Sequence, residues 1–258
     1  MGANLAELWR YRDLLRNLVA RDLRIKYKGS TIGFAWSLLH PLMLTAVYTL
    51  AFRYVLAVRI EHFPVFLLSG LLPWMFFSGA LSQATGSVAD NGVLVRKVAF
   101  PRLVLPLGAI VAQFVQFLLM FAVVIPVGLL SGTRASSALL ALPPIVALQL
   151  VFTTGLGLLT ATAYVYFRDT RHLLDVALQV WFWVTPIVYS IALVPPTFAR
   201  ALWLNPMTLF VTTYQRIILD GAWPPFSTVA ALAGVTLAVA AAGLAVFARH
   251  QRRFAELV

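Results

Sequence analysis

Cysteine is absent from the 258 residues, which excludes a disulfide framework and any thiolate metal site and leaves the redox compartment unreadable. Charge is scarce as well: Asp, Glu, Lys and Arg make up 11% of the chain, while 61% of its residues are hydrophobic. A soluble domain is about half apolar and about a quarter charged. One soluble core cannot hide this much apolar surface, so a water-soluble enzyme, a disordered chain and a nucleic-acid-binding domain are all disfavoured. Acids are rarest of all, with nine against 20 Lys and Arg and a net charge of +11. In a soluble protein that excess would point to nucleic acid. In so apolar a chain it fits cations held on the cytoplasmic side of a membrane, facing anionic lipid.

The chemistry of sites is also missing. The only lysines are Lys26, Lys28 and Lys97, and no Gly-x-x-x-x-Gly-Lys-Ser/Thr occurs, so a phosphate loop for ATP is excluded. His40, His62, His172 and His250 are scattered, without HExxH or a carboxylate-rich metal spacing. No Gly-x-Ser-x-Gly elbow is present. The acids (Glu7, Asp13, Asp22, Glu61, Asp90, Asp169, Asp175, Asp220 and Glu256) all avoid the interiors of the apolar stretches, Asp175 standing at an edge. Ion-coupled carriers keep ionisable groups at mid-membrane to hold the driving ion. Here, energy for uphill movement is expected from another subunit. Residues 1–28 offer no clean apolar run followed by a small-residue cleavage site, so a cleavable signal peptide is not expected.

What the chain does have is apolar length. A helix crossing the hydrocarbon needs about 20 mostly apolar residues, each rising about 1.5 Å against a core of about 30 Å. Residues 34–52, 63–89 and 103–133 qualify, as do segments within 135–167, 176–199 and 221–248. The expected fold is therefore an all-α integral membrane protein with six transmembrane helices, each satisfying its own backbone. Between 195 and 225 the apolar sequence is broken by Pro195-Pro196, Arg200, Asn205-Pro206, Arg216 and Pro224-Pro225. Its uninterrupted part, 201–215, extends only about 22 Å as a helix, so a pair of short re-entrant or interfacial helices is expected near 195–220, between spans five and six. A seventh span is the alternative, and it would send the C-terminus to the other side. Charge decides between them. With six spans, only Arg53, Arg59, Arg134, Arg200 and Arg216 of the 20 cations fall on one side, which places both termini in the cytoplasm by the positive-inside rule.

Residues 1–30 read as a cytoplasmic amphipathic interface helix, ahead of a membrane domain at 31–258. Leu8, Tyr11, Leu14, Leu15, Leu18 and Val19 share one helical arc, and Arg10, Asp13, Arg16, Asn17 and Arg21 the other. Such a helix is expected in the interface plane, its apolar side toward acyl chains, either as a simple anchor or also as part of a docking surface for a cytoplasmic partner. Asp22 breaks the pattern and is spaced to pair with Lys26, and Gly29-Ser30 predicts a bend. The loop 90–102 opens on Asn91-Gly92, continues as a short amphipathic piece and stops at Pro101. A short projecting helix of this kind suits docking in a partner's groove, the alternative being an ordinary basic loop held inside by lipid. The loop 167–172, with Phe167-Arg168-Asp169-Thr170-Arg171, reads similarly, or as a short solvated turn. Gly155-Leu156-Gly157 sits within an apolar stretch, where small residues allow close helix packing. Aromatic residues are 13% of the chain. They fit interfacial belts, or, for Trp36, Tyr48, Trp181, Trp183 and Tyr189, a passage whose ring faces stack on sugar C–H faces.

Four stretches together resemble the membrane subunit of type-2 ABC exporters for cell-surface polysaccharides, the O-antigen, capsule and teichoic acid exporters. They are 21–30 with Gly33, Trp36 and Pro41; 91–97 with Phe100-Pro101-Arg102 and Pro106; Phe167-Arg168-Asp169 with Pro186-Ile187-Val188-Tyr189; and Leu204-Asn205-Pro206. The resemblance implies a homodimer in the bacterial inner membrane, joined by two cytoplasmic ATP-binding subunits that supply ATP and Mg. It implies no cofactor in this chain and no catalysis by it. It assigns Arg21, Arg24, Asn91, Val95, Arg96, Lys97, Phe100, Pro101, Arg102, Arg168 and Asp169 to contact with the ATPase subunit. It also implies a channel along the dimer axis, lined by the first and fifth spans, for a lipid-linked polysaccharide. Two rivals stand beside it. A related permease for drugs or other small molecules would need no sugar-stacking lining. A membrane enzyme acting on polyprenyl phosphate would need clustered acids at the cytoplasmic face, whereas the cytoplasmic loops hold only Asp90 and Asp169, not clustered in sequence.

Overall fold

The computed structural model describes residues 9–30, 32–33, 35–55, 60–98, 100–130 and 136–258. Glu7, Leu8, Phe34, Arg59 and Arg134, used in the sequence reading, lie outside them. Among the described residues the regular structure is entirely helical. Helix α1 covers Arg12–Tyr27, and α2 covers Ala35–Thr49 with a π-helical extension over Leu50–Val55. Next come α3 (Phe63–Gly86), the short α4 (Gly92–Lys97) and α5 (Val104–Leu130). They are followed by α6 (Leu142–Tyr166), α7 (Thr170–Val184), α8 (Pro196–Leu202), α9 (Pro206–Ile218), α10 (Phe226–His250) and α11 (Phe254–Leu257).

Among the described residues, five stretches are long and apolar enough to cross a membrane: Ala35–Arg53, Phe63–Gly86, Val104–Ala122, Ser137–Tyr166 and Phe226–Leu257. They correspond to the first, second, third, fourth and sixth spans expected from sequence. The fifth differs. Instead of running within 176–199, α7 starts at Thr170 and ends at Val184, about 22 Å by helical rise. Its stop has a local cause: Thr185 precedes Pro186, whose ring disfavours helical backbone there, and Thr185 is extended at φ −104°, ψ 131°. The expected pair of short helices between the last two spans is present as α8 and α9.

Helix α3 is the hub. Its apolar segment is 78% buried, against 17% for those of α2 and α10, and it packs on α2, α5, α6, α7 and α9. The main core gathers around it, with Phe63, Phe76, Phe77, Phe117, Phe152, Phe210 and Tyr214 fully enclosed. Helices α6 and α10 approach closely because a glycine stands on each: a Cβ at Gly155 would lie 2.7 Å from the Val239 carbonyl oxygen and 2.8 Å from Ala240 Cα, and Gly243 meets Gly155 backbone directly. This is the close packing that the small residues near 155 predicted.

Helix α1 departs from expectation. Its apolar arc faces protein rather than acyl chains: Leu18 is 7% exposed, and Leu15 and Leu18 lie against Gly108 of α5. Further along, Lys26 Nζ donates to Gln116 Oε1 at 2.7 Å, about two turns beyond Gly108. So α1 runs alongside α5 over this length. Amphipathic periodicity identifies a buried face but not what covers it. The expected Asp22–Lys26 pair is also absent, since Asp22 pairs with Arg21 at 3.0 Å. The predicted bend is made by Gly29 and Gly33, at φ 80° and 56°, a region that only glycine enters without strain.

Candidate functional site

A second, smaller core unites segments far apart in sequence. Leu18 of α1, Val88, Val95, Leu103, Val104, Leu105, Leu158, Val165, Phe247 and Phe254 form one buried cluster. The first half of α1, the 88–105 segment, the last turns of α6 and α10, and the C-terminal residues therefore meet at one end of the molecule. The segments that carry most of the cations converge there. The C-terminal piece closes the group: Phe254 stacks edge-on against Phe247 at 5.3 Å, the Arg102 guanidinium donates to the Gln251 carbonyl, and Val258 packs against Gly92. The role of the C-terminus was missed from sequence, where its one signal is Phe254, an aromatic next to Arg252-Arg253.

On this end, α4 presents Arg96 and Lys97 outward, together with Val93 and Val98, which are 62% and 53% exposed. Val95, expected to face the partner, instead turns into the second core at 4% exposure and anchors the helix. Alternate residues of so short a helix cannot all face outward, and Val93 is the exposed apolar residue. Asn91 holds the turn before α4, donating to the Ser87 carbonyl at 2.8 Å. Phe100, Pro101 and Arg102 are half-buried, and Arg24, Arg168 and Asp169 are exposed. Arg21 and Asn91 line one groove of about 380 Å³, with Asp22, Gln83, Ser87 and Asp90. Arg171, the last residue of the charged 167–171 motif, joins the two loops: it pairs with Asp90 at 3.4 Å and, with Arg168, lies over the Tyr164 ring, at 5.8 and 5.2 Å.

The residues expected along the substrate path fall in two settings. Trp36 on α2 and Trp183 on α7 are 47% and 55% exposed. Each belongs to an open apolar face, with Leu39, Met43 and Val47 on α2 and Leu173, Val176 and Val180 on α7. Tyr48 is half-buried beside Phe52, and the Tyr189 hydroxyl donates to the Trp183 carbonyl at 3.0 Å. Trp181 is directed inward, edge-on to Phe77 at 5.1 Å, with its indole N–H donating to Asn205 Oδ1 at 2.7 Å.

Asn205 is a junction. Its Oδ1 also accepts from the Met207 N–H at 2.9 Å, capping α9, while its Nδ2 donates to Thr185 Oγ1 at 3.0 Å. One side chain thus ties the end of α7 to the start of α9. The other end of α9 is tied as firmly. Gln215 Nε2 donates to the Pro186 carbonyl at 3.2 Å. The fully buried Tyr214 hydroxyl donates to Gln149 Oε1 at 2.8 Å, and Gln149 Nε2 donates to the Pro73 carbonyl at 2.8 Å. The Asn-Pro and Pro-Ile-Val-Tyr motifs thus fix a short helix within the bundle. On the same end, opposite the basic one, a cleft of about 630 Å³ is lined by residues including Glu61, His62, Trp203, Arg216 and Asp220.

Residues 13–219 match the family described as "ABC-2 type transporter". The chain belongs to that family. It is 35% identical, over 98% of both chains, to the O-antigen export system permease protein RfbA of Myxococcus xanthus. It is 30% identical to a protein of the same name from Klebsiella pneumoniae, over 100% of this chain and 98% of that one. To the polysialic acid transport protein KpsM of Escherichia coli it is 24% identical, over 89% and 90%. This family member is a membrane transport subunit, with the helical architecture its composition required.

Proposed function

We propose that two copies of this chain form the inner-membrane passage of an exporter for a lipid-linked, O-antigen-like polysaccharide, driven by ATP hydrolysis in two separate cytoplasmic subunits. The supporting observation is likeness along essentially the whole chain to two O-antigen export permeases, with a capsule-type polymer transporter also similar. That favours a glycan over a drug-like cargo. ATP and Mg belong to the partner.

In this reading the basic end faces the cytoplasm, with both termini. Val93, Arg96 and Lys97 on α4 and Val98 just after it, with Arg21, Arg24, Arg168 and Asp169 around them, meet the ATPase. The second core makes this end one mechanical unit, because α1, α4 and α11 share a single buried cluster. A push on α4 therefore reaches α1, the first turns of α5 and the α6–α7 corner together, since packed interiors transmit displacement rather than absorb it. Helices α2 and α7 both pack on α3 and leave their outer apolar faces uncovered. In a homodimer these faces bound the path, with Trp36 and Trp183 supplying ring surface to the glycan and Tyr48 and Tyr189 standing behind them. Trp181 sets the position of α7 through Asn205.

The test is export itself. Cells producing this chain and its ATPase subunit are expected to display surface glycan, and cells producing the chain alone are not. Export by the chain alone would contradict the reading.

A further inference from the structure

A second cleft, of about 530 Å³, opens between the end of α1, the start of α2, and the middles of α3 and α5. Its polar lining is Lys26, Trp36, Ser37, His40, Ser78, Gln113 and Gln116. No carboxylate is among the residues described there. Gly79 lets Gln113 approach: a Cβ on Gly79 would lie 3.3 Å from Gln113 Oε1. Gln116 is 3% exposed and stands about 18 Å along α5 from Val104, so the ammonium it binds is drawn well past the start of a span. The acid nearest in sequence, Asp22, is engaged by Arg21.

The charge balance of this cleft is incomplete. Lys26 is open to the surface, yet desolvation lowers its pKa from the ordinary 10.5. Its hydrogen-bond partner is a neutral amide. A cation at this depth is costly unless an anion or a set of acceptors meets it. Gln116 supplies one acceptor to an ammonium that has three donors. The remaining donors face a cleft with room for several non-hydrogen atoms, lined by amide and imidazole groups that suit phosphate oxygens.

We propose that this cleft binds the phosphate of a lipid-anchored phosphate ester, with the Lys26 ammonium as charge partner and Gln113 and His40 as further hydrogen-bonding groups. The site deepens the transport reading, in which the natural ligand is the phosphate of the polyprenyl carrier. It does not depend on that reading, because a phospholipid headgroup presents the same chemistry.

The experiment measures lipid binding to the purified full-length chain in detergent, by native mass spectrometry. The probes are undecaprenyl phosphate, undecaprenol and phosphatidylglycerol. Lys26→Gln is compared with the wild type and with Lys26→Arg, and thermal unfolding confirms that each variant is folded. Undecaprenyl phosphate is expected to bind at least tenfold more tightly than undecaprenol. Lys26→Gln should lose roughly tenfold toward the phosphate and nothing toward the alcohol, the effect of one charge-assisted hydrogen bond, while Lys26→Arg keeps most of the affinity. Loss confined to undecaprenyl phosphate assigns the site to the carrier. Equal loss toward phosphatidylglycerol assigns it to phosphate headgroups generally, and supports the site whatever the polymer. A folded Lys26→Gln that binds both phosphate lipids like the wild type overturns the proposal, and leaves the export reading to its own test.

Discussion

A few polar side chains hold this apolar molecule in register, and Asn205 has the most to lose. It accepts from Trp181 and Met207 and donates to Thr185. Replacing it with Ala removes a helix cap, worth about 1 kcal/mol. It also strands an indole N–H, at about 1–3 kcal/mol for each unsatisfied buried group. Asn205→Ala is therefore expected to lower stability by roughly 2–4 kcal/mol, read as a drop in thermal midpoint in detergent. An unchanged midpoint would show that Asn205 is not the junction. Gln149→Leu belongs with it: the variant leaves the Pro73 carbonyl and the Tyr214 hydroxyl unpaired inside the bundle, and a loss of about 2–3 kcal/mol is expected in the same assay. The importance of Asn205-Pro206 was legible as a break in an apolar run. That its amide reaches back to Trp181 was not, because a sequence names no partner for an amide. Hence Trp181 reads from sequence as channel lining, like Trp183, although the two side chains take opposite directions.

At the scale of elements, the tightest contact is between α6 and α10. Gly155→Leu places carbon where the Val239 carbonyl and Ala240 Cα already lie, and overpacking of this kind costs about 1–3 kcal/mol or more. Gly234 on α10 has nothing within 4 Å of its would-be Cβ, so Gly234→Ala should leave stability unchanged or slightly higher, since alanine is the better helix former. Thermal midpoints of the two purified variants check the contrast; equal midpoints would contradict it. The small-residue signal at 155–157 was readable because lipid-embedded helices need small residues to approach. Its counterpart Gly243 was not, since one sequence does not say which helix faces which. The fifth span shows the opposite limit. An uncharged stretch suggested a full crossing, yet Pro186 ends α7 at Val184, while Arg171, His172 and Asp175 lengthen it at the basic end, where charges can stay hydrated. For α1, periodicity gave the buried face correctly and left its covering, α5, undetermined.

At the scale of the whole molecule, charge counting predicts that the termini and the two basic loops share a side, and among the described residues α1, the 88–105 segment, the last turns of α6 and α10, and Phe254 meet in one cluster. What charge counting could not supply is the cement. Phe254 clasps Phe247, and the C-terminal residue packs on the first residue of α4. Phe254→Ala should loosen α4 without unfolding the bundle: the complex still assembles, but ATPase stimulation by the permease and export both fall several-fold. ATPase rates of reconstituted complexes decide this, and wild-type rates would show that the C-terminal clasp carries no coupling.

The central claim is that the basic end receives its drive in the cytoplasm. Because the chain contains no cysteine, a single introduced thiol is its only reactive one. Arg96→Cys and Trp203→Cys, each labelled with a membrane-impermeant maleimide in intact spheroplasts and in inside-out vesicles, report the two ends separately. The account predicts that Cys at position 96 reacts only in inside-out vesicles and Cys at position 203 only in spheroplasts. Labelling of position 96 from outside intact cells would contradict it.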